Sequence, residues 1–272
     1  WINQSQYGLT AGLHSLDENE QLVFIKYTNA GNIYINKPIT GAIVGLQPFG
    51  GRRSSSFGKG YKAGGPHYLQ QFCKIINKPV ALDQHVDKIL PKHYESLIQY
   101  ILKESYDHFI SYTNQFNTKI KELTKLTVNQ SIKGEDNIIY CEPIQILWLR
   151  VNPNNSLKEL FFIISFAYLS NTKLRVSFSE QRFQSINIKD INTHFNIETK
   201  IETNNEFKKE LQKHHYLNVR VMNDYDKTML PIIHSQHHRL IKDPINSNIQ
   251  IDCLNFLKEK TVSRKHHRYG FI

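Results

Sequence analysis

The chain has 272 residues, 40% of them apolar, enough for one large domain or two small ones around a substantial core, which excludes a disordered or collagen-like chain. With 34 basic and 24 acidic residues the net charge is +10, so a nucleic-acid partner is one reading. Residues 1–80 carry 8 basic and 3 acidic residues against 26 and 21 in the remainder, an even excess with no dense basic block, so the charge alone does not support nucleic-acid binding.

Of the 13 glycines, 11 lie between Gly8 and Gly65, so two differently built segments are joined here. Residues 9–14 alternate as a strand does, and Ser15 with Glu18 reads as a capping box opening a helix that runs to about Thr28. Leu22, Val23, Ile25 and Tyr27 form its expected buried face, and Gly31 its expected left-handed C-terminal cap. Residues 33–35 form a second strand, giving a strand-helix-strand unit of the kind found in parallel sheets. Residues 36–66 are a loop dense in Gly and Pro, Pro66 opens a helical turn over 67–72, and 73–76 reads as a short strand. Residues 77–92 are a connection, and 94–126 have strong helical periodicity. A strand at 144–151, a helix opened by Ser156 and Glu159, a strand at 174–178, a helix at 204–214 and a strand at 217–222 follow, and that alternation is α/β. Since the chain starts at Trp1 inside what reads as an element, it is expected to be a piece of a longer polypeptide.

Cys73, Cys141 and Cys253 are far apart and in no CxxC pair, so neither a disulfide framework nor a zinc site is expected, and a reducing, cytoplasmic setting fits. The longest apolar run, 160–169, is far shorter than the roughly 20 residues of a membrane-spanning helix. His214-His215 and His234-x-x-His237-His238 have spacings that could share a metal, but no HExxH-type carboxylate accompanies them, so packed or solvated imidazoles are preferred and no metal site is assigned. Most specific is Thr40-Gly41-Ala42-Ile43-Val44-Gly45-Leu46-Gln47-Pro48-Phe49-Gly50-Gly51, followed by Ser54-Ser55-Ser56 and Lys62-Ala63-Gly64-Gly65-Pro66. Small residues at 40–42 let backbone N–H groups converge on an anion such as a carboxylate, with Phe49 as an apolar wall; a set of connecting turns is the equal alternative. Neither GxGxxG nor GxxxxGK[ST] is present.

That stretch, with Tyr7-Gly8-Leu9-Thr10-Ala11-Gly12-Leu13-His14-Ser15 and Gly31-Asn32-Ile33-Tyr34-Ile35-Asn36 before it and His67-Tyr68-Leu69 after it, resembles the C-terminal third of aldehyde dehydrogenases over residues 4–75. Within them it resembles the L-glutamate γ-semialdehyde (1-pyrroline-5-carboxylate) dehydrogenase branch, as found in bifunctional proline utilization A enzymes. Gly134-Glu135-Asp136-Asn137, Leu147-Trp148-Leu149-Arg150-Val151 and the terminal Leu257-Lys258-Glu259-Lys260-Thr261-Val262-Ser263-Arg264 with His267-Arg268-Tyr269-Gly270 resemble the extension of the bifunctional kind more loosely, with Phe271 where family members often have Asn.

The resemblance implies an α/β fold: the end of a catalytic domain over residues 1–80, a helical connection over 81–130, and a smaller, Rossmann-like accessory α/β unit over 131–272. It implies that Gly41 and Ala42 anchor the substrate carboxylate, that Phe49 lines the aldehyde pocket, and that Ser55 and Ser56 support the loop. It further implies that the nucleophilic cysteine, the general base and the NAD fold precede Trp1, so that the isolated chain is inactive and holds no catalytic residue. FAD belongs only to the proline dehydrogenase half of a bifunctional parent. The partners implied are glutamate semialdehyde, the upstream part of the same enzyme and further copies of the parent, with peripheral attachment to the inner membrane as the alternative to a purely cytoplasmic parent. His266, His267 and Arg268 either help to close an internal cavity or form a basic tail. A different class of function, an inactive remnant or assembly module completing the pocket of a separate partner, stands beside the enzyme reading.

Overall fold

The computed structural model describes residues 1–56, 58–73, 94, 106–125, 128–179, 195, 197–222, 225–245 and 248–266. In chain order its elements are β1 (Tyr7–Gly8), β2 (Thr10–Leu13), α1 (Glu18–Tyr27), β3 (Asn32–Ile35), β4 (Arg52–Arg53), α2 (Tyr106–Lys125), β5 (Val128–Asn129), β6 (Glu135–Pro143), β7 (Ile146–Val151), α3 (Leu157–Leu169), β8 (Lys173–Phe178), β9 (Ile197–Ile201), α4 (Asn204–Gln212), β10 (Asn218–Val221), α5 (Leu230–Ser235), β11 (Arg239–Ile241), α6 (Ile249–Asn255) and β12 (Leu257–Lys265). The strand expected over 73–76, the connection over 77–92, the early part of the helical stretch from 94, and His267 with Arg268 lie outside the described residues.

Two compact units result, one made of Trp1–Ile75, Leu123–Glu142 and Lys258–Ile272, the other of Ile76–Glu122 and Pro143–Leu257. Boundaries drawn at 80 and 130 therefore do not coincide with the units. The reason is strand pairing: residues 135–143 and 257–265 join the sheet begun by the glycine-rich segment.

In the first unit the five-stranded sheet has the order β2-β3-β12-β6-β5. β2 and β3 run parallel, as the strand-helix-strand pattern requires, and β12 runs parallel to β3 with Val262 opposite Ile33. Ile144 donates to Phe256 at one end and His266 to Gly134 at the other, so β12 and β6 run antiparallel. Residues 257–265 are thus an interior strand of this sheet. Ala11, Ala30, Ile33, Ile35 and Val262 form the core, with Phe24 and Ile25 of α1 packed on it.

α1 corrects three expectations. Its N-cap is Asp17, which accepts from Asn19 and Glu20, while Ser15 braces Glu20 through its hydroxyl. Leu22, Val23 and Tyr27 are exposed instead of buried, so the inward face is Gln21, Phe24 and Ile25. Gly31 is not left-handed; a Cβ there would sit 1.9 Å from the Gly50 carbonyl oxygen, so close backbone approach is what requires glycine.

The second unit is a fully parallel sheet in the order β11-β10-β7-β8-β9, with each strand pair parallel. Read along the chain, the direction of winding reverses between β7 and β10, which is the doubly wound, Rossmann-like order. Ser156 caps α3 as the sequence predicts, accepting from Glu159. Phe116 of α2 stacks on Phe166 of α3 at 3.9 Å between ring centres, and Phe256 meets both edge-on.

Candidate functional site

The loop that leaves β3 is held open by polar side chains beneath it. Asn36, at φ +57°, braces Ser15 through both ends of its amide at 2.9 Å. Gly41 is exposed at φ +78°, and a Cβ added there would meet nothing within 4 Å. Half-buried Ala42 precedes a tight turn in which Leu46 and Gln47 donate to the Ile43 carbonyl. Gln47 fastens that turn: its Oε1 accepts from the Ile43 amide at 3.2 Å, while its Nε2 lies 2.9 Å from Glu135 Oε1, 2.9 Å from Asn137 Oδ1 and 3.0 Å from Ser263 Oγ.

The other members of this first buried network are Lys37 and Ser263. Lys37 Nζ is 2.8 Å from Glu135 Oε2 and donates to Ser263 Oγ at 2.9 Å. Burial pushes the Glu135 carboxyl up, but hydrogen bonds with Lys37 and Asn137 prevail and hold it below the usual carboxylate range.

A second network lies under Phe49. Phe49 and Ala63 exchange two backbone hydrogen bonds of 2.9 Å, and Lys62 reaches back from that pair to donate to the Gly50 carbonyl at 2.6 Å and to Asn32 Oδ1 at 3.2 Å. Glu259 of β12 receives the Lys62 amide at 2.7 Å and stands 2.7 Å from His67 Nδ1. Thr261 donates to the Pro48 carbonyl at 2.8 Å. Burial, reinforced by nearby Arg52, pulls the Lys62 ammonium down to about 7 although Glu259 opposes the shift. A third group joins Arg52, Lys258 and Lys260 to Glu142 at 2.8, 3.4 and 3.0 Å.

Phe49, Ser55 and Ser56 line one cavity of about 420 Å³ together with Lys59, Tyr61, Tyr68, Gln71 and Phe72. Gly41 and Ala42 do not line it; they stand on the exposed part of the loop. Ser55 accepts from the Gly8 amide at 3.3 Å, and a Cβ on Gly51 would lie 2.3 Å from the Ser55 carbonyl oxygen. The structure thus unites Phe49 with the two serines and leaves Gly41 and Ala42 apart from them. Sequence reasoning missed Gln47, Lys62, His67, Glu135 and Glu259, because their charges and amides are scattered over the chain and only the closing of β12 between β3 and β6 brings them together.

Cys141 and Cys253 are buried. Burial, with Glu259 and Glu142 beside it, pushes the Cys141 thiol up to about 12, and burial with Asp252 likewise raises Cys253, which suits neither to nucleophilic work. Cys73 is exposed. Among the described residues no three His, Cys, Asp or Glu gather as a metal site would need, and no helix is long and apolar enough to cross a membrane. His238 is packed: its Nδ1 accepts from the Leu217 amide at 3.1 Å and its Nε2 is 3.1 Å from the Leu211 carbonyl.

In the second unit a cavity of about 470 Å³ lies at the carboxyl ends of β7, β8 and β9. The turn after β7 is Asn152-Pro153-Asn154-Asn155-Ser156, without the glycines a pyrophosphate needs, and Arg150 is occupied by Asn204, Ser177 and the Glu202 carbonyl.

The family model "Aldehyde dehydrogenase family" matches residues 1–77. The Rhizobium meliloti "Bifunctional protein PutA" is 56% identical over 91 residues, which is 33% of this chain and 7% of that protein. The human mitochondrial "Delta-1-pyrroline-5-carboxylate dehydrogenase" is 42% identical over 83 residues, 28% of this chain and 14% of that protein. This chain therefore matches only a small part of those relatives' length. A solved structure of proline utilization A from Corynebacterium freiburgense superposes on 98% of this chain and 24% of its own at 25% identity, with a TM-score of 0.72, so the likeness of fold extends through both units. Residues 1–77 are thus similar to the aldehyde dehydrogenase family, and the relatives matched over this segment are a bifunctional PutA protein and a delta-1-pyrroline-5-carboxylate dehydrogenase.

Proposed function

We propose that the chain is the carboxyl-terminal portion of an NAD-dependent L-glutamate γ-semialdehyde dehydrogenase, of the bifunctional kind that also carries an FAD-dependent proline dehydrogenase. The observation that carries this reading is the unbroken match through the Phe49 segment, whose fold keeps Gly41 open to a ligand while Gln47 and Lys62 hold the loop from below. In this reading Gly41 and Ala42 present backbone amides to the substrate carboxylate, Phe49 walls the aldehyde, and Ser55 and Ser56 keep the turn. NAD is held, and thiolate attack and hydride transfer take place, on the part of the enzyme that in the relatives precedes the matched segment. The parent works in the cytoplasm as an oligomer.

Two measurements test this. The purified 272-residue chain, given 1-pyrroline-5-carboxylate and NAD, is expected to yield no NADH; turnover by it alone would overturn the assignment of the chemistry to the preceding part. In the complete enzyme, Gly41→Val is expected to raise KM for the semialdehyde at least ten-fold while changing KM for an aldehyde without a carboxylate much less. Equal loss on both substrates would make the loop a structural turn, since a side chain at φ +78° strains the backbone whatever the substrate.

A further inference from the structure

The cavity of about 470 Å³ in the second unit lies where α/β sheets present ligand sites, outside the carboxyl ends of parallel strands. Two backbone bonds fix the residues at its edge. The Ser179 amide donates to the Val151 carbonyl at 3.1 Å, and the Glu202 amide to the Phe178 carbonyl at 3.0 Å. Ser179 and Glu202 line the cavity, and Pro153 and exposed Ile201 give it an apolar side.

The Glu202 side chain is only 1% exposed, yet among the described residues neither carboxylate oxygen has a hydrogen-bond partner, and the buried Ser179 hydroxyl oxygen has none either. The nearby cations do not supply one. Arg150 directs its Nε and Nη2 to Asn204 Oδ1 at 3.1 and 2.8 Å, and its Nη1 to Ser177 Oγ and the Glu202 carbonyl at 2.6 and 3.0 Å. Lys200 Nζ stands 2.9 Å from Glu202 Oε2 as an ion pair, but off the hydrogen-bonding direction, on a side chain that is 42% exposed. Glu206, the other carboxylate of the cavity, is taken by the capping box of α4, where its Oε2 receives the Thr203 amide and hydroxyl at 2.7 and 2.9 Å. A buried carboxylate with its hydrogen bonds unmade keeps its desolvation cost uncompensated, and a ligand rich in donors removes that cost.

We propose that this cavity binds a small molecule carrying a primary ammonium group on an aliphatic chain, with the ammonium on the Glu202 carboxylate and the Ser179 hydroxyl and the chain along Ile201 and Pro153. A primary ammonium has three N–H donors and no acceptor, the complement of two carboxylate oxygens and one hydroxyl. Among the described residues no three His, Cys, Asp or Glu side chains gather as a metal would need, so an organic cation suits this donor set better than a metal ion. The site lies wholly in the second unit and is independent of the function proposed above.

The test is an NMR titration of the full 272-residue chain with n-butylammonium chloride at constant ionic strength, with n-butanol and butyltrimethylammonium as probes of the same chain length. Saturable shifts confined to the amides around Ser179, Glu202 and Asn204 are expected from n-butylammonium alone. Glu202→Gln, which keeps the shape and removes the charge, is expected to raise Kd about ten-fold or more. Lys200→Ala is expected to lower Kd about three-fold, because it takes away the cation that competes for Oε2, whereas a merely structural Lys200–Glu202 pair would give no gain. Lys200 is exposed enough for this variant to fold even where Glu202→Gln does not. Non-saturable shifts scattered over surface carboxylates, equal binding of the alcohol or the quaternary ammonium, an unchanged Kd in Glu202→Gln, or an unchanged or weaker affinity in Lys200→Ala would each overturn the proposal.

Discussion

Lys62 is the residue whose ionisation says most about how the loop is held. It is buried, its Nζ holds the Gly50 carbonyl, and its ordinary value of 10.5 falls to about 7. Above about pH 7 the folded chain binds fewer protons at this position than the unfolded chain, so stability at this site rises with pH from about 7 to about 10 and is flat below that window. The difference in unfolding free energy between the natural chain and Lys62→Met is expected to grow in favour of the natural chain across that range. A difference independent of pH, measured by urea unfolding in matched buffers, would mean that Nζ keeps its proton. Glu259 belongs to the same argument. Taking away its carboxylate leaves the Lys62 amide and His67 without their acceptor, which is why a residue 197 positions away in sequence governs the loop.

At the scale of elements, closeness of backbones decides more than propensity. The Gly31 site faces the Gly50 carbonyl, and Gly31→Ala is expected to cost the first unit about 3 kcal/mol in chemical denaturation, since backbone on both sides must move. Gly64→Ala, where φ is +77° and no atom lies within 4 Å of the added Cβ, is expected to cost only the left-handed strain of roughly 1–2 kcal/mol. Equal costs would show that crowding at Gly31 is relieved by a local shift. β2, α1 and β3 were legible because apolar alternation, a polar cap and a short turn are local signals. The parallel strands of the second unit were legible for the same reason, from runs such as Leu147 to Val151. β6 and β12 were not. Along β6 the inward positions include Glu135 and Asn137 beside Ile139 and Cys141, and along β12 Glu259, Lys260, Thr261 and Ser263 are all buried. A strand whose buried positions are charged has no hydrophobic period to read; its burial is satisfied by ion pairs and hydrogen bonds formed with distant segments. The outward side of α1 misled for the converse reason, since exposed apolar residues such as Leu22, Val23 and Tyr27 have the same pattern in sequence as core.

For the molecule as a whole, the first unit is a composite of early and late sequence. A chain ending at residue 80, the boundary that composition suggests, would lack β5, β6 and β12, three of the five strands of its sheet, together with Glu135, Glu142 and Glu259. Such a piece is expected to show no cooperative thermal transition and no protected amides over residues 32–35 in hydrogen exchange, whereas the full chain shows both. A cooperative melt from the truncated chain would mean that β2, α1 and β3 suffice. The residues that the sequence put forward for the site, Gly41, Ala42, Phe49, Ser55 and Ser56, all lie in one glycine-rich segment, whereas the support beneath that loop comes from the other end of the chain and was illegible.

That arrangement also sets an order in time. Lys37 and Ser263 are bonded across 226 positions, so on the ribosome β3 waits for that length of chain to be made before its neighbour emerges. Throughout that interval Ile33 and Ile35, the most deeply buried residues of the finished strand, face solvent in the nascent chain. A ribosome that stops before β12 would release a product in which the glycine-rich loop has no floor, and cellular quality control would meet it as an exposed apolar edge. β12 acts, in effect, as a check that the long stretch between the two halves of the sheet has been made.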